Sequence, residues 1–477
     1  MSIALPQSAA EAARNLDLLR AQLSRDAPAL KPLGLGAIAL GSGAISELPR
    51  FLSEVRNGGS GDVAVVADCR PMAGRDGELK ATIANALDSA GVSVRRVTIG
   101  DADARVHADP VTVEDAVARV AGADVVVSVG SGTVVDVGKA VSARLDRLPH
   151  IAVQTAGSVN GFADDQSVLL VDGVKRTTQT AWPDRLVIDT DVVARAPAEL
   201  NRAGLGDLLA SYTAPADWLL ASLVAQDDSY SAAVVSLTRA YVDSAVDAAD
   251  GIGRGDAHAI EDLVGALTLS GIAMGVAGRT SPGSGMEHTV SHLLEMSQPA
   301  GGDGEPLHGA KVGALSVLAA LLWERVRAAV RAGGLSELRF PQADEMRARV
   351  DAAFADLDVS GATARECWRD YARKLDRWHA AAERLETLEE QWALIDDELD
   401  AILAPSQRLL AALRAAGAPV RLGDLGIDET RLRWALANCH LMRDRFTVAD
   451  LAFFMGLYEP EDVDALLADA GRVGAGA

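Results

Sequence analysis

Apolar and polar positions follow two different patterns along this chain of 477 residues. In the first part, short apolar runs typical of buried strands alternate with segments of helical periodicity. The strands are predicted at Ala37–Leu40, Val63–Ala67, Val92–Val97, Asp124–Val129 and Ile151–Val153, and the helices at Leu79–Ala90, Val113–Val120 and Val134–Ala143. Strands that alternate with helices indicate a doubly wound parallel sheet.

After about Arg202 the pattern becomes almost entirely helical. Helices are predicted at Leu205–Gln226, Tyr230–Asp247, Ala257–Val276, His288–Met296 and Ala310–Ala329, with loops at Gly278–Gly285 and Gln298–Gly304. We therefore expect an α/β domain over residues 1–202 and an all-α domain over residues 203–477. A charged insertion at about residues 343–398 (Ala343–Glu398) predicts a solvent-exposed helical hairpin, decorative or engaged in oligomer contacts.

Composition narrows the possible functions. With 45 basic and 67 acidic residues, the net charge of −22 argues against a sequence-independent grip on nucleic acid or on an anionic membrane. The three cysteines have no repeated spacing, the N-terminal segment lacks the pattern of a secretory signal, and the apolar runs are too short to span a membrane. These features predict a cytoplasmic protein that acts on a small molecule.

A glycine-rich turn follows the predicted strand Asp124–Val129. Gly130, Ser131, Gly132, Thr133 and Val134 lead from this strand into the next helix. Such a turn presents bare backbone N–H groups and a helix N-terminus to the same point, which suits a phosphate group. The turn lacks the spacing of the usual dinucleotide fingerprint, so a purely structural turn remains an alternative.

Two further segments suit a dinucleotide. Asp68 follows the strand Val63–Ala67, where a carboxylate can bind ribose hydroxyls and repel an added 2′-phosphate, which favours NAD over NADP; an Asp that caps a turn is the alternative. After the strand Ile151–Val153, small and hydroxylated residues suit the nicotinamide end: Thr155, Ala156, Gly157 and Ser158.

Candidate metal ligands lie in the helical part. His288 and His292 are four residues apart, and on a helix this places both on one face. His308 opens another helix after a glycine-rich loop, and Asp207 lies at the start of a long apolar helix, where it could instead serve as an N-cap. One carboxylate and two imidazoles with open positions are typical of a catalytic site for Zn²⁺, Fe²⁺ or Ni²⁺.

The combination of these motifs resembles the sn-glycerol-1-phosphate dehydrogenases, within the superfamily of iron-containing alcohol dehydrogenases and dehydroquinate synthases. The similar segments, which span about residues 35–457 apart from the insertion, are Gly130–Thr133, Thr155–Ser158, Gly204–Leu209, Glu287–Glu295, Leu307–Gly313 and Arg443–Leu451.

This resemblance implies a dehydroquinate synthase-like fold with an active site between an NAD(P)-binding domain and a helical domain. It implies one divalent metal held by Asp207, His288 and His308, substrate contacts at Asn160, Asp207 and His292, and cofactor contacts along Gly130–Val134 and Thr155–Ser158 and at Asp164. We also expect a homo-oligomer.

Three positions depart from the family pattern and change the charge of the expected pocket. Asn160 stands where the family carries Asp, Asp164 where it carries Ser, and Ser211 where it commonly carries Lys. A phosphate would lose one cationic partner at Ser211.

The resulting hypothesis is a metal-dependent dehydrogenase that interconverts a small polyol and its ketone. The preferred candidates for this pair are sn-glycerol 1-phosphate and dihydroxyacetone phosphate. Asp207 and His292 would be catalytic, with His292 able to relay the alcohol proton. The alternatives are a dehydrogenase of another polyol or alcohol, a dehydroquinate synthase-type cyclase, and a binding protein without activity.

Overall fold

The protein was analysed as a computed structural model that describes residues 6–59, 61–74, 77–89, 91–101, 106–171, 174–297, 306–335, 337–358 and 360–475. The predicted loop Gln298–Gly304 and Ala90, the predicted end of one helix, lie outside these residues. The described part contains the predicted α/β fold followed by a helical part, which confirms the expected fold class.

A parallel sheet of six strands forms the first part, in the order β1-β8-β5-β4-β2-β3. A separate antiparallel hairpin, β6–β7, was not predicted: β6 contains the short apolar run 168–171, but β7 is mostly polar. The strands are β1 (Ala37–Gly41), β2 (Val63–Asp68), β3 (Val94–Ile99), β4 (Val125–Gly130), β5 (His150–Gln154), β6 (Gln166–Val171), β7 (Val174–Gln179) and β8 (Arg185–Asp189).

Helices cover both faces of this sheet, and their bounds agree with the predicted periodicity to within a few residues. The chain runs from β2 to the edge strand β3 and returns to β4 on the other side of β2, so the strand order reverses between β2 and β4. Ligands of open α/β sheets bind at such a reversal, beyond the carboxyl ends of the strands. The helices of this part are α1 (Ala9–Arg14), α2 (Leu16–Asp26), α3 (Leu48–Arg56), α4 (Leu79–Ser89), α5 (Pro110–Val120), α6 (Gly132–Arg144) and α7 (Thr190–Arg195).

The remaining α-helices build the second part around a large apolar core. The single predicted helix Leu205–Gln226 is divided, because a short 3-10 turn at Ala210–Tyr212 interrupts it. The helices are α8 (Ala198–Leu209), α9 (Ala214–Leu223), α10 (Ala232–Asp247), α11 (Ala249–Arg254), α12 (Ala257–Ala277), α13 (Met286–Met296), α14 (His308–Arg331), α15 (Ala343–Ala353), α16 (Ala362–Ala380), α17 (Ala382–Glu386), α18 (Leu388–Ile402), α19 (Ser406–Ala416), α20 (Glu429–Asn438), α21 (Val448–Phe454) and α22 (Pro460–Val473).

Helix α12 forms the centre of this core. Among the described residues it is the one helix long and apolar enough to cross a membrane, but 94% of its apolar window is buried inside the protein. The N-terminal helix α1 packs against it, with Ala9 and Ala10 in contact with the backbone at Gly265. The two parts of the chain therefore share a packed interface, and the division at residue 202 stays a prediction.

The charged insertion differs from the exposed hairpin expected from its composition. It forms four helices, α15 to α18, whose apolar sides are buried in the core of the second part. Tyr371, Leu375 and Trp378 are spaced along one side of α16 and are at most 2% exposed. Charged residues dominate its composition, but the apolar positions recur at helical spacing, and this pattern determines the packing.

Candidate active site

Four polar side chains converge at the junction of α8, α13 and α14. The His288 Nε2 lies 3.4 Å and the His308 Nε2 3.9 Å from the same carboxylate oxygen, Oδ1 of Asp207. The ring of His292 lies one helical turn along α13, with its centroid 5.5 Å from that of His308. The structure therefore brings together the three predicted metal ligands, together with the predicted proton relay.

The close approach of α8 to α14 makes this convergence possible. Gly206 of α8 faces Gly309 and Gly313 of α14, and a Cβ atom added at Gly206 would collide with the carbonyl of Gly309. Because neither helix carries side chains at this crossing, their backbones come into contact. Asp207 follows Gly206 directly, and His308 precedes Gly309, so the glycine crossing brings these two ligands together.

The three ligand groups fit a divalent cation. Their donor atoms lie within 4.8 Å of one another. The Asp207 Oδ1 is buried and accepts no hydrogen bond from the described residues, whereas its Oδ2 accepts one from the Asn160 N–H at 3.0 Å. A buried carboxylate oxygen without a donor is costly unless a cation or a water binds it.

Two buried glutamates orient the imidazoles from behind. Glu287 Oε1 lies 2.9 Å from His288 Nδ1, and Glu295 Oε1 lies 3.1 Å from His308 Nδ1. Glu295 Oε2 also lies 3.3 Å from Nδ1 of His292. Carboxylates that bind Nδ1 fix the tautomer of a metal-binding histidine and leave Nε2 for the metal.

The electrostatic surroundings favour positive charge between the ligands. Burial opposes the ionised form of Asp207, but the neighbouring His288 and His308 and the Asn160 amide hold its pKa below the usual value. Burial likewise opposes charge on His288, yet Asp207 and Glu287 raise its pKa to about 9. Surroundings that favour a proton here also favour a metal cation in its place.

His292 is held in a different state. Burial and the nearby guanidinium of Arg443 lower its pKa well below the usual value, despite the opposing effect of Glu295. Its Nδ1 contacts Glu295, so Nε2 is the ring nitrogen left for a ligand. A neutral imidazole with an available nitrogen can accept a proton or bind a hydroxyl group.

Asp217 fixes the N-terminus of α13, the helix that carries His288 and His292. Its Oδ2 accepts a hydrogen bond from the Met286 N–H at 2.8 Å, and its Oδ1 accepts bonds from the Val448 N–H at 2.9 Å and Trp323 Nε1 at 3.1 Å. Burial, with the nearby Glu287 carboxylate adding to it, raises the pKa of Asp217 well above its usual range.

A cavity of about 210 Å³ extends from the metal ligands to the glycine-rich turn after β4. Its wall includes predicted cofactor or substrate residues, namely Ser131, Gly132, Thr133, Ser158, Asn160 and Asp164. Other predicted cofactor residues are outside the set that lines this cavity, namely Asp68, Gly130, Val134, Thr155, Ala156 and Gly157. Ser131 is the N-cap of α6, so the first turn of that helix begins at the cavity wall.

Asp164 is engaged by a buried lysine. The Lys139 Nζ of α6 donates to the Asp164 carboxylate, to the Gly161 carbonyl at 2.7 Å and to the Gln166 carbonyl at 3.0 Å. Burial raises the pKa of Asp164, although Lys139 counteracts it. Lys139 therefore fixes the loop that lines the cavity, and the predicted cofactor contact of Asp164 stays a prediction.

Asp68 and Gly130 lie at the carboxyl ends of adjacent strands, where the strand order reverses. The Asp68 Oδ1 accepts a hydrogen bond from Lys80 Nζ of α4 at 2.6 Å. Both side chains are about 16% exposed, so the carboxylate has a cationic partner and retains access to solvent.

Sequence reasoning missed the residues that support the ligands, chiefly Glu287, Glu295, Asp217 and Lys139. A signal was present for Glu295, which follows His292 by three residues and His288 by seven and therefore lies on the same helix face. Lys139 and Asp217 gave no such signal, because their partners lie on other elements.

Known proteins with similar sequences support a nucleotide- and metal-dependent dehydrogenase. The sequence model of the iron-containing alcohol dehydrogenase family matches residues 39–197. A glycerol-1-phosphate dehydrogenase [NAD(P)+] of Bacillus licheniformis is 30% identical over 420 residues, which cover 87% of this chain and 88% of the relative. A second, from Halalkalibacterium halodurans, is 34% identical over 289 residues, covering 60% of this chain and 70% of the relative.

Solved structures share the fold at low sequence identity. A probable glycerol dehydrogenase from Sinorhizobium meliloti superposes with a TM-score of 0.58 at 18% identity, covering 93% of this chain and 99% of that one. Glycerol dehydrogenase from Schizosaccharomyces pombe gives a TM-score of 0.53 at 16% identity, covering 91% of both chains. With the predicted fold, the convergent ligands and the relative matched over most of both chains, the chain belongs to the glycerol-1-phosphate dehydrogenase family of iron-containing alcohol dehydrogenases.

Proposed function

We propose that this chain is a metal-dependent, NAD(P)-linked dehydrogenase that interconverts sn-glycerol 1-phosphate and dihydroxyacetone phosphate. The observation that carries the proposal is the convergence of Asp207, His288 and His308 on one point at the end of a cavity that reaches the glycine-rich turn after β4. Relatives matched over most of this chain are named for this substrate.

Asp207, His288 and His308 hold the metal in this proposal, and Glu287 and Glu295 keep the imidazoles oriented. When bound, a divalent cation supplies Lewis acidity to the substrate oxygen, next to a nicotinamide ring that carries the hydride. Zinc, iron and nickel all suit one carboxylate and two imidazoles.

His292 and Asn160 handle the substrate. The neutral His292 imidazole, with Nδ1 against Glu295, can receive the alcohol proton at Nε2. The Asn160 N–H binds Asp207 and its amide Nδ2 donates to Ser270 Oγ at 3.2 Å, so its amide oxygen can accept from a second hydroxyl. Both residues line the cavity and are less than 10% exposed.

The nucleotide binds along the carboxyl ends of β2, β4 and β5 in this proposal. Backbone N–H groups of Gly130–Val134 bind its phosphates, Thr155–Ser158 and Asp164 border the nicotinamide, and Asp68 binds the adenosine ribose. Because Asp68 is paired with Lys80, a 2′-phosphate meets one carboxylate and one ammonium group, so we propose a preference for NAD with use of NADP retained.

The setting of the enzyme is part of the same proposal. A net charge of −22 supports a cytoplasmic enzyme of small molecules without nucleic-acid or membrane partners. Assembly into a homo-oligomer also stays a prediction.

A His288→Ala variant tests the metal site. We expect it to lose bound metal and at least about a thousandfold in turnover, because Lewis acidity contributes several kcal/mol to the barrier, while NADH binding survives. The matched control is His258→Ala, which removes an exposed imidazole remote from the site. Metal analysis, NADH fluorescence and the absorbance of NADH in steady state provide the readouts.

The substrate is tested with sn-glycerol 1-phosphate, its 3-phosphate enantiomer and unphosphorylated glycerol, each with NAD and with NADP. Selective oxidation of the 1-phosphate is the expected result. Full turnover by a chelator-washed His288→Ala protein would refute the metal site. Turnover of glycerol without turnover of sn-glycerol 1-phosphate would refute the phosphorylated substrate.

A further inference from the structure

A second cavity of about 430 Å³ adjoins the one that holds the metal ligands. Thr177 of β7 and Thr280, which precedes α13, line both cavities, so the two cavities share part of their wall. The second cavity is lined by residues of β7, of helix α16 of the charged insertion and of the segment 442–445. Nothing in the metal or nucleotide machinery described above uses this space.

Three arginines line this second cavity, namely Arg176 of β7 and Arg443 and Arg445 of the segment between α20 and α21. Arg176 pairs with Glu366 of α16. The described hydrogen bonds of Arg445 go to neutral oxygens, which are the Ser284 carbonyl, the Ser284 hydroxyl at 2.6 Å and the Thr280 hydroxyl at 2.6 Å. Arg445 therefore places a positive charge beside the loop that enters α13, where the Glu287 and Asp217 carboxylates act on it without a hydrogen bond among those described.

The carboxylates of the same wall have partners on the outer side of α16. Glu366 lies 3.1 Å from Arg369, and Asp370 lies 2.7 Å from Arg373. Asp444 pairs with Arg377 and lies 3.3 Å from Arg373. Among the described residues, the lining of the cavity thus holds three arginines and three carboxylates, and the carboxylates also pair with the outer arginines.

Arg443 is the member of this set whose charge acts on His292. Burial and the like charges of Arg445 and Arg176 lower its pKa to about 10, whereas Glu295 and Asp370 act in the opposite direction. Arg443 in turn lowers the pKa of His292, which places its charge beside the predicted proton relay. Like charges gathered in a buried wall repel one another, and an anion between them removes that repulsion.

The insertion holds this segment in place through a fully buried lysine. The Lys374 Nζ of α16 donates to the His440 carbonyl at 2.5 Å and to the Arg445 carbonyl at 3.2 Å, on either side of Arg443 in the chain. It also forms an ion pair with the Asp450 carboxylate at 2.5 Å. Helix α16 thus supplies one wall of the cavity and fixes the backbone from which Arg443 and Arg445 project.

We propose that the cavity bounded by Arg176, Arg443 and Arg445 is the subsite for the phosphate group of the substrate, with Arg443 as its principal ligand. This inference rests on the proposed function and adds to it the origin of the preference for a phosphorylated substrate. A guanidinium group can bind two phosphate oxygens at once, which a single ammonium group cannot match in geometry.

The test compares Arg443→Met and Arg443→Lys in the metal-loaded protein with NAD. A charge-assisted hydrogen bond to phosphate predicts that Arg443→Met raises KM for sn-glycerol 1-phosphate by about 10- to 100-fold, with a much smaller change for unphosphorylated glycerol. Arg443→Lys keeps the charge but loses the forked geometry, so an intermediate KM is expected. Arg254→Met, which removes an exposed arginine of α11, is the matched control.

Binding of inorganic phosphate to the metal-loaded protein, measured by calorimetry, separates the subsite from the reaction. Weaker phosphate binding in Arg443→Met supports the subsite even if sn-glycerol 1-phosphate is not oxidised, in which case the proposed function alone fails. Oxidation of sn-glycerol 1-phosphate with an unchanged KM in both Arg443 variants would overturn the subsite and leave the function standing. Equal phosphate affinity in wild type and Arg443→Met would overturn it as well.

Discussion

The crossing of α8 and α14 offers a test of how tightly the fold sets the metal geometry. A Cβ atom added at Gly313 of α14 would lie 2.7 Å from the Cα of Gly206, where 3.4 Å is the shortest ordinary contact. Because the backbone fixes the position of a Cβ atom and the Gly206 Cα belongs to the backbone, no rotamer change relieves the overlap, and the helices must part by about 0.7 Å in Gly313→Ala. Asp207 lies next to Gly206, so it moves away from His308.

A shift of this size exceeds the tolerance of a metal site, in which metal–ligand distances are held to within about 0.2 Å. We expect the metal affinity of Gly313→Ala to fall about 10- to 100-fold, as for loss of a group that orients a ligand. The gain in helix propensity from Gly to Ala is at most about 1 kcal/mol, whereas overpacking costs about 1–3 kcal/mol. The variant is therefore expected to be as stable as wild type or less stable.

The assay is a competitive titration of metal against a chromogenic chelator, combined with thermal unfolding of the metal-free protein. Gly471→Ala is the matched control, because Gly471 lies in helix α22 and an added Cβ there meets nothing within 4 Å. This control is expected to retain metal affinity and to gain slightly in stability. Wild-type metal affinity in Gly313→Ala would show that the site does not depend on the glycine crossing, and the reasoning would fail.

Two further changes probe buried carboxyl groups. Burial raises the pKa of Asp136 to about 7, with Asp164 adding to the effect and Lys139 opposing it. The folded state therefore retains a proton that the unfolded chain loses near pH 4. As a result, the free energy of unfolding should decline as pH rises from about 4 to 7. Measured by urea unfolding, the free energy of unfolding of wild type should fall by at most about 3 kcal/mol relative to that of Asp136→Asn between pH 5 and pH 7. A difference between the two proteins that stays constant over this range would contradict the prediction. Glu295→Gln removes the carboxylate behind His308 and should weaken metal binding about 10- to 100-fold in the chelator assay, which unchanged affinity would disprove.

The buried pair Lys374–Asp450 gives the insertion a structural role that its composition conceals. Both side chains are about 1% exposed, and the pair ties α16 to the start of α21. A buried ion pair needs further hydrogen bonds to offset its desolvation; here the His440 and Arg445 carbonyls accept from Lys374, and Thr447 donates to Asp450. Through these contacts the insertion packs against the segment before α21, which lines the second cavity.

The sequence by itself determined the elements and part of the site. Strand and helix periods are local properties, so five of the six strands of the parallel sheet, most of the long helices and the glycine-rich turn could be predicted with bounds close to those observed. Strand β8 and the division of the predicted helix Leu205–Gln226 were missed. The spacing of His288 and His292 likewise defined a shared helix face. The resemblance of the motifs then identified Asp207 and His308 as their partners, which no local pattern could do.

Only the tertiary structure decided which distant residues meet. The crossing of α8 and α14 at Gly206 depends on contacts between residues about a hundred positions apart. The Glu295 carboxylate behind His308 and the Lys139–Asp164 pair join residues of different elements that lie 13 and 25 positions apart. The burial of α16 and the arginines around the second cavity depend on how amphipathic helices pack against one another. Periodicity predicts that such a helix has a buried face, but long-range packing alone determines what that face contacts.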